Sequence, residues 1–204
     1  KVILLNSLST YYYNPIKVEN YKSDNSRISK FNINLDNNIY FCLQTIFKIS
    51  IEFDEVIKNI LEKDKKSIIL LSNSYDLGES LYKRLVTKIN DKDIYRIIMI
   101  DMIDRLTFLE LLNISNVVLD TFPFGGCNST IEALCLNKPV ITLPGKFINS
   151  RFTYGFYLKM GVLDLVSENI EEYINLCLKC VNDIEWLNNI KIKIASNINK
   201  ILED

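Results

Sequence analysis

The feature that most constrains the fold of this chain is an alternation between short apolar runs and longer segments with helical periodicity. The apolar runs are shorter than typical helices and have the length of buried strands. They occupy residues 39–43, 67–72, 95–100, 117–120 and 139–143. Strands that alternate with helices predict βαβ units and a parallel sheet covered on both faces. The predicted fold class is therefore α/β, with a Rossmann-like, doubly wound parallel sheet and right-handed crossovers.

The intervening segments predict helices whose starts carry capping residues. Asp76 and Asp104 are of a type that favours the N-cap position, and each precedes a run with helical spacing. The helix after Asp76 is expected to continue through Ile89. The expected helices are 52–63, 77–89, 105–112, one starting near Asn128, 150–160, 168–182 and 183 to the end.

Residues 1–36 are less regular and rich in polar side chains, so we interpret them as a linker or crossover segment. Residues 37–204 are expected to form one domain with carboxy-terminal helices. The apolar start at residues 1–5 has the composition of a strand, and the first residue is not methionine. We therefore expect the chain to be a fragment of a longer protein.

Composition excludes several classes of function. The 204 residues carry a formal net charge of −1 with interspersed charges, unlike the basic stripe of a nucleic-acid-binding protein. No apolar run reaches the roughly 18 residues of a membrane span. The chain has no histidine, so it cannot build a Ser-His-Asp triad by itself.

Five cysteines, an odd number scattered through apolar stretches, argue against a disulfide framework and favour a reducing, cytoplasmic setting. Cys177 and Cys180 have C-x-x-C spacing, but they fall within a helical pattern and no second pair exists. Buried cysteines fit better than a metal or redox site, and no metal site is predicted.

A ligand of a doubly wound sheet binds beyond the carboxyl ends of the strands, which directs attention to the loop after residue 120. Gly125 and Gly126 are expected to adopt positive φ and to let the backbone approach a ligand closely. The next residues, Asn128, Ser129 and Thr130, start a helix whose free N–H groups favour an anion such as a diphosphate. An ordinary β-to-α turn explains the same residues, and both the dinucleotide fingerprint and the P-loop are absent.

Two further side chains extend this candidate site. Glu132, in the first turns of the same helix, is placed to accept hydrogen bonds from ribose hydroxyls. Arg151 follows the strand at 139–143 and a Pro-Gly turn, so it can meet a phosphate or an acceptor. A structural arginine at the surface is the alternative.

Several motifs together resemble the O-GlcNAc transferase and SPINDLY-type glycosyltransferases, above all their bacterial and viral-like members. They are VVLDTFPFGGCNSTIEAL at 117–134, PVITLPG at 139–145, Ser-Arg at 150–151 and Tyr-x-x-Met-Gly at 157–161. The resemblance extends upstream through Tyr40–Ile49 and covers nearly the whole chain. It implies the carboxy-terminal, nucleotide-sugar-binding half of a GT-B enzyme.

The resemblance also implies roles for individual residues. Lys48 resembles the lysine that neutralises the donor diphosphate and assists its departure, although a solvent-facing lysine is the alternative. Gln44 resembles a donor contact, and residues 128–130 resemble the diphosphate-binding helix start. Phe108 falls where a ring can pack near the uracil, with core packing as the alternative. Cys127 departs from the animal enzymes, which have a histidine at this position.

The resemblance implies inverting transfer from a UDP-sugar, UDP-GlcNAc in the first place, to serine or threonine of a protein, without a required metal or cofactor. GDP-fucose donors occur among relatives. The expected partners are the donor, a protein acceptor, an amino-terminal GT-B domain and tetratricopeptide repeats, with no nucleic acid or membrane. Two alternatives stay open: a non-catalytic nucleotide-binding or interaction module, and a GT-B sugar-nucleotide epimerase. The lack of histidine counts against the epimerase.

Overall fold

The computed structural model describes residues 8–18, 21–22, 26–42, 44–73 and 77–203. Within these residues, five strands form one parallel sheet in the order β3-β2-β1-β4-β5. They are β1 (Asn38–Cys42), β2 (Ser67–Ser72), β3 (Ile97–Ile100), β4 (Val117–Leu119) and β5 (Val140–Ile141). The sheet confirms the predicted Rossmann-like fold class.

The strand order reverses between β1 and β4, which pair in parallel with Tyr40 opposite Val117. From β1 the chain proceeds outward through β2 to β3, and it then returns to β4 and proceeds to β5 on the other side. The loops that leave β1 and β4 therefore diverge and open a crevice between them. Such a reversal is where ligands bind in open α/β sheets.

Helices connect and cover the strands. They are α1 (Pro15–Val18), α2 (Ile51–Lys63), α3 (Gly78–Val86), α4 (Asp91–Ile94), α5 (Arg105–Ile114), α6 (Asn128–Cys135), α7 (Phe152–Met160), α8 (Ile170–Asn182) and α9 (Ile184–Asn197). Short 3-10 helices occupy Ser26–Phe31, Ile46–Lys48, Ile148–Ser150 and Ile198–Lys200. None of the helices in the described parts of the chain is long and apolar enough to cross a membrane.

Most predicted elements are confirmed, with differences at their ends. Asp104 caps α5 by accepting a hydrogen bond from the backbone N–H of Thr107 at 3.0 Å. The helix expected to reach Ile89 ends at Val86, and the four-residue α4 follows, too short to show helical periodicity in the sequence. The predicted cap Asp76, the strand end Leu43 and residues 1–5 lie outside the described residues.

The core lies between the sheet and its helices and continues beneath the crevice. Phe53 of α2, Phe122 in the loop after β4 and Tyr173 of α8 pack edge-on, with ring centroids 5.2 to 6.2 Å apart. Cys177 and Cys180 are buried on α8 in this core, and all five cysteines are free thiols. The aromatic cluster gives the loop after β4 a rigid apolar base.

The amino-terminal segment packs on the domain rather than extending away from it. Ile28 is buried, and Tyr12 packs its ring against Phe156 of α7 with centroids 5.7 Å apart. The backbone N–H of Glu203 donates to the carbonyl of Tyr12 at 2.8 Å, which joins the two ends of the described chain. The division of the chain at residue 36 stays a prediction.

A buried carboxylate connects α2 to α3. Asp54 is fully buried and accepts hydrogen bonds from the guanidinium of Arg84 at 2.8 and 2.9 Å. The ammonium of Lys88 donates to the same carboxylate at 2.8 Å. A buried charge is tolerated only when it is paired and hydrogen-bonded in this way.

Replacing Asp54 with asparagine should lower the free energy of unfolding by about 2–3 kcal/mol, because two charge-assisted contacts lose their anion. The matched control is Glu79→Gln, which removes an exposed pair with Lys83 on α3. That change should cost less than about 0.5 kcal/mol. Urea unfolding of both variants measures the difference, and equal losses would contradict the assignment.

Candidate functional site

The loops that follow β1 and β4 meet at the strand-order reversal. Ile49 and Pro123 form an isolated antiparallel bridge that joins the two loops. Beside this bridge, the ammonium of Lys48 donates to the side-chain oxygen of Gln44 at 3.1 Å and to the carbonyl of Gly125 at 3.0 Å. Lys48, Gln44 and Gly125, which the sequence predicts as site residues, therefore lie together in the crevice.

Lys48 is partly buried, and its ammonium lies 4.5 Å from the ring centroid of Phe124. Burial lowers the pKa of Lys48 below its usual value, while the nearby carboxylate of Asp120 opposes that shift. The structure thus excludes the alternative of a fully solvent-facing lysine. A partly desolvated cation at the crevice is suited to attract an anion.

Gln44 connects the two loops through its side chain. Its amide nitrogen donates to the hydroxyl of Ser129 at 2.7 Å, and its oxygen accepts from Lys48. The side chain is buried, with 8% of its residue surface exposed. Gln44 therefore fixes Lys48 relative to the start of α6.

The prediction that Gly125 and Gly126 adopt positive φ is wrong, because the glycine that has positive φ is Gly161. Close approach explains both residues instead. A Cβ on Gly125 would lie 2.9 Å from a carboxylate oxygen of Asp120, and a Cβ on Gly126 would lie 2.9 Å from the hydroxyls of Ser129 and Thr130. Real Cβ atoms essentially never approach so closely.

Asp120, the last residue of a predicted strand, organises the loop. One carboxylate oxygen accepts from the N–H of Gly126 at 2.5 Å, and the other accepts from the hydroxyl of Thr142 at 2.7 Å. Burial raises the pKa of Asp120, and these hydrogen bonds oppose the shift. Its sequence signal was a carboxylate directly after a fully apolar buried strand.

The start of α6 lies beside the same crevice, because the hydroxyl of Ser129 accepts from the side-chain amide of Gln44 at 2.7 Å. The first four N–H groups of a helix have no intrahelical partner. Cys127 is the N-cap residue, and among the described residues no side chain caps α6. Among the described helices, side chains cap α2, α5, α8 and α9, whereas α3, α4 and α7 lack a side-chain cap as α6 does. The positive end of the α6 dipole is thus available to an anion.

The individual side chains at this helix start point in different directions. Asn128 is exposed, whereas the hydroxyl of Thr130 is buried and lies 3.0 Å from the hydroxyl of Thr153. Cys127 lies 2.7 Å, sulfur to oxygen, from the hydroxyl of Tyr12. Of the two hydroxyls predicted at this helix start, that of Ser129 is directed toward the side chain of Gln44.

Glu132 lies one turn further along α6 and forms an ion pair with Arg105, the first residue of α5. It also lines a cavity of about 160 Å³ together with Tyr12, Tyr13 and Asn128. The sequence alone predicts no partner for this carboxylate. The ion pair orients the carboxylate of Glu132 toward α5.

The contacts of two further predicted residues, Phe108 and Arg151, are with residues other than Lys48. Phe108 is partly buried and packs edge-on against Phe41 of β1, with centroids 5.2 Å apart, which agrees with its core-packing alternative. Arg151 is exposed, donates to the carbonyl of Gly145 at 2.9 Å and lies 4.8 Å from the ring of Tyr154. Its guanidinium thus holds the Pro-Gly turn after β5.

Comparison with known families agrees with this geometry. A family described as "Glycosyl transferase family 41" matches residues 20–201. The chain belongs to this family. The match confirms the resemblance to O-GlcNAc transferase and SPINDLY-type glycosyltransferases.

Curated relatives of this family 41 chain carry matching names. A "UDP-N-acetylglucosamine--peptide N-acetylglucosaminyltransferase" of Caenorhabditis elegans is 26% identical over 161 residues, 78% of this chain and 14% of its own length. A Petunia hybrida protein named "Probable UDP-N-acetylglucosamine--peptide N-acetylglucosaminyltransferase SPINDLY" is 29% identical over 91 residues, 45% of this chain and 9% of its own length. The chain therefore spans only a small part of these relatives.

Solved structures show the same fold. A mutant of the Thermobaculum terrenum O-GlcNAc transferase has a TM-score of 0.72 at 24% identity, covering 81% of this chain and 32% of its own. The carboxy-terminal CMP-Kdo binding domain of WaaA from Acinetobacter baumannii has a TM-score of 0.56 at 12% identity, covering 83% of this chain and 93% of its own. The second match covers most of both chains, which shows that the two chains share a fold.

Gly126→Ala should lower the free energy of unfolding by about 1–3 kcal/mol, because the new methyl group overpacks the contact between Gln44 and Ser129. Gly155→Ala is the matched control, because Gly155 lies inside α7 and a Cβ at this position would meet no atom within 4 Å. That control should be neutral or stabilising by up to about 1 kcal/mol. Denaturant unfolding that gave both variants the same stability would contradict the close-approach explanation.

Proposed function

We propose that the chain binds the diphosphate of a UDP-sugar, with UDP-GlcNAc as the first candidate. The observation that carries the proposal is the position of the Lys48 ammonium beside the open start of α6, at the strand-order reversal. A cation and a set of free N–H groups on one crevice form a complementary site for a diphosphate. The names of the relatives support the uridine and GlcNAc parts of the proposal.

The chemistry proposed for this site is stabilisation of a leaving group. In direct displacement at the anomeric carbon, the bond from that carbon to the diphosphate oxygen breaks, and the departing diphosphate gains negative charge. Lys48 and the N–H groups of residues 128–130 then interact more strongly with the diphosphate than they did before bond breaking. Interactions that strengthen in the transition state are the ones that accelerate the reaction.

The nucleoside is proposed to extend from the diphosphate along α6. In this proposal Glu132 accepts hydrogen bonds from the ribose hydroxyls, and its ion pair with Arg105 keeps the carboxylate oriented. Phe108 on α5 is the residue proposed to pack near the uracil, although its ring already packs on Phe41. Gln44 acts on the donor through Lys48 and Ser129.

The acceptor and the remainder of the enzyme are proposed from the relatives. A serine or threonine of a protein is the expected acceptor, because the relatives are named as peptide N-acetylglucosaminyltransferases. The chain covers 32% of the Thermobaculum protein, so an amino-terminal GT-B domain would complete the crevice, with tetratricopeptide repeats as a further partner. Five free thiols support a cytoplasmic location.

Lys48→Met should weaken UDP binding about tenfold or more, because it removes the cation and keeps most of the side-chain volume. Lys83→Met is the matched control, since Lys83 is exposed on α3 and paired with Glu79. The control should leave the affinity unchanged. Isothermal titration calorimetry with UDP measures both, and an unchanged affinity for Lys48→Met would refute the assigned role.

Glu132→Gln should weaken UDP binding severalfold, because a neutral amide is a poorer acceptor for ribose hydroxyls than a carboxylate. The same variant should bind inorganic pyrophosphate as well as the unsubstituted chain does, since pyrophosphate has no ribose. Calorimetry with the two ligands separates these effects. Equal weakening of both would show that Glu132 acts on the diphosphate site, and unchanged UDP affinity would remove it from the site.

A further inference from the structure

The peptide bond between Gly125 and Gly126 is held at both of its polar ends. Its N–H, which belongs to Gly126, donates to a carboxylate oxygen of Asp120 at 2.5 Å. Its carbonyl, which belongs to Gly125, accepts from the ammonium of Lys48 at 3.0 Å. A single peptide group therefore lies between a buried anion and the cation of the candidate donor site.

We propose that Asp120 is a positioning residue that acts on Lys48 through the Gly125–Gly126 peptide. The inference rests on the proposed function, since the role of Lys48 in binding a diphosphate gives the positioning its consequence. The ammonium contacts Gln44, Gly125 and the ring of Phe124. Of these three contacts, the hydrogen bond to the Gly125 carbonyl connects Lys48 to Asp120, because the N–H of the same peptide donates to Asp120.

The charges at the two ends reinforce one another through the peptide. A carboxylate that accepts from the N–H polarises the peptide and makes its carbonyl a stronger acceptor. The carbonyl in turn holds the ammonium more firmly in one position. The carboxylate also favours the charged form of Lys48 electrostatically, and so opposes the lowering of the Lys48 pKa by burial.

Asp120 is itself rigid enough to serve this purpose. It is buried directly after β4, and its second carboxylate oxygen accepts from the hydroxyl of Thr142 at 2.7 Å. Its backbone carbonyl accepts from the hydroxyl of Tyr173 at 3.0 Å. These contacts fix Asp120 relative to the sheet and α8. Because the carboxylate also accepts from the Gly126 N–H, it holds the glycine loop in a fixed position relative to the core.

The two glycines permit this arrangement. A Cβ on Gly125 would lie 2.9 and 3.1 Å from the two carboxylate oxygens of Asp120, so a side chain there would separate the peptide from the anion. The glycine pair is thus explained by the contact that its peptide makes with Asp120, in addition to the packing at the start of α6. Because the two glycines have no side chains, Lys48 and Asp120 can both approach the peptide closely enough to hydrogen-bond to it.

The test is a double-mutant cycle on UDP affinity, measured by calorimetry at pH 7. Asp120→Asn retains an oxygen for the Gly126 N–H and places an amide against Thr142, whose hydroxyl can reverse and accept. The variant therefore removes the charge with little change of shape. We expect it to weaken UDP binding about fivefold in the unsubstituted chain, and less than twofold when Lys48 is already methionine.

The coupling distinguishes positioning from general damage to the fold. Asp64→Asn is the matched control, because Asp64 is also buried and accepts from Tyr40 and Asn38. Asp64 precedes β2 and so lies at the amino-terminal ends of the strands, opposite the end that Asp120 follows. This control should lower the melting temperature and leave the UDP affinity unchanged. Should Asp120→Asn not fold, Thr142→Val removes one hydrogen bond from the same carboxylate and should show the same dependence on Lys48.

The outcomes separate this inference from the proposed function. An equal loss of affinity with and without Lys48, or no loss in either background, would overturn the positioning role of Asp120 while leaving donor binding in place. Failure of the unsubstituted chain to bind UDP would instead overturn the proposed function, and the positioning role with it. A loss that depends on Lys48 supports both.

Discussion

The parallel pairing of β1 with β4 is the constraint on which the rest of the site depends. It places strands that are far apart in the chain side by side, and it makes their outgoing loops diverge. Lys48 follows β1 and the glycine loop follows β4. The pairing of these two strands therefore brings the Lys48 ammonium within hydrogen-bonding distance of the loop. The aromatic cluster of Phe53, Phe122 and Tyr173 then holds the loop from below.

The site balances charge locally in a chain whose formal net charge is only −1. A buried aspartate and a partly buried lysine face one peptide from opposite sides, and each lessens the other's desolvation cost. The cation is linked through Gln44 to Ser129 at the start of α6, where the positive end of the helix dipole lies. The arrangement places a cation beside a helix start without a strongly basic surface, in agreement with the composition.

The sequence was sufficient for much of the fold because apolar periodicity reflects burial directly. β2 has its predicted bounds, and α5 starts after the predicted cap Asp104. Local pattern could not decide contacts between distant residues. The reason for glycine at 125 and 126 depends on Asp120, Ser129 and Thr130 in three dimensions, and intrinsic backbone preference suggested positive φ instead.

The sequence by itself determined the order of most strands and helices along the chain, the glycine-containing loop after β4 and the family to which its motifs belong, because these follow from periodicity and local residue type. Tertiary structure alone decided which polar groups meet. It turned the hydroxyl of Thr130 inward to Thr153, paired Glu132 with Arg105 and gave Asp120 its place beneath the glycine loop. Such choices depend on distances across the sheet and on burial, which no local stretch of sequence contains.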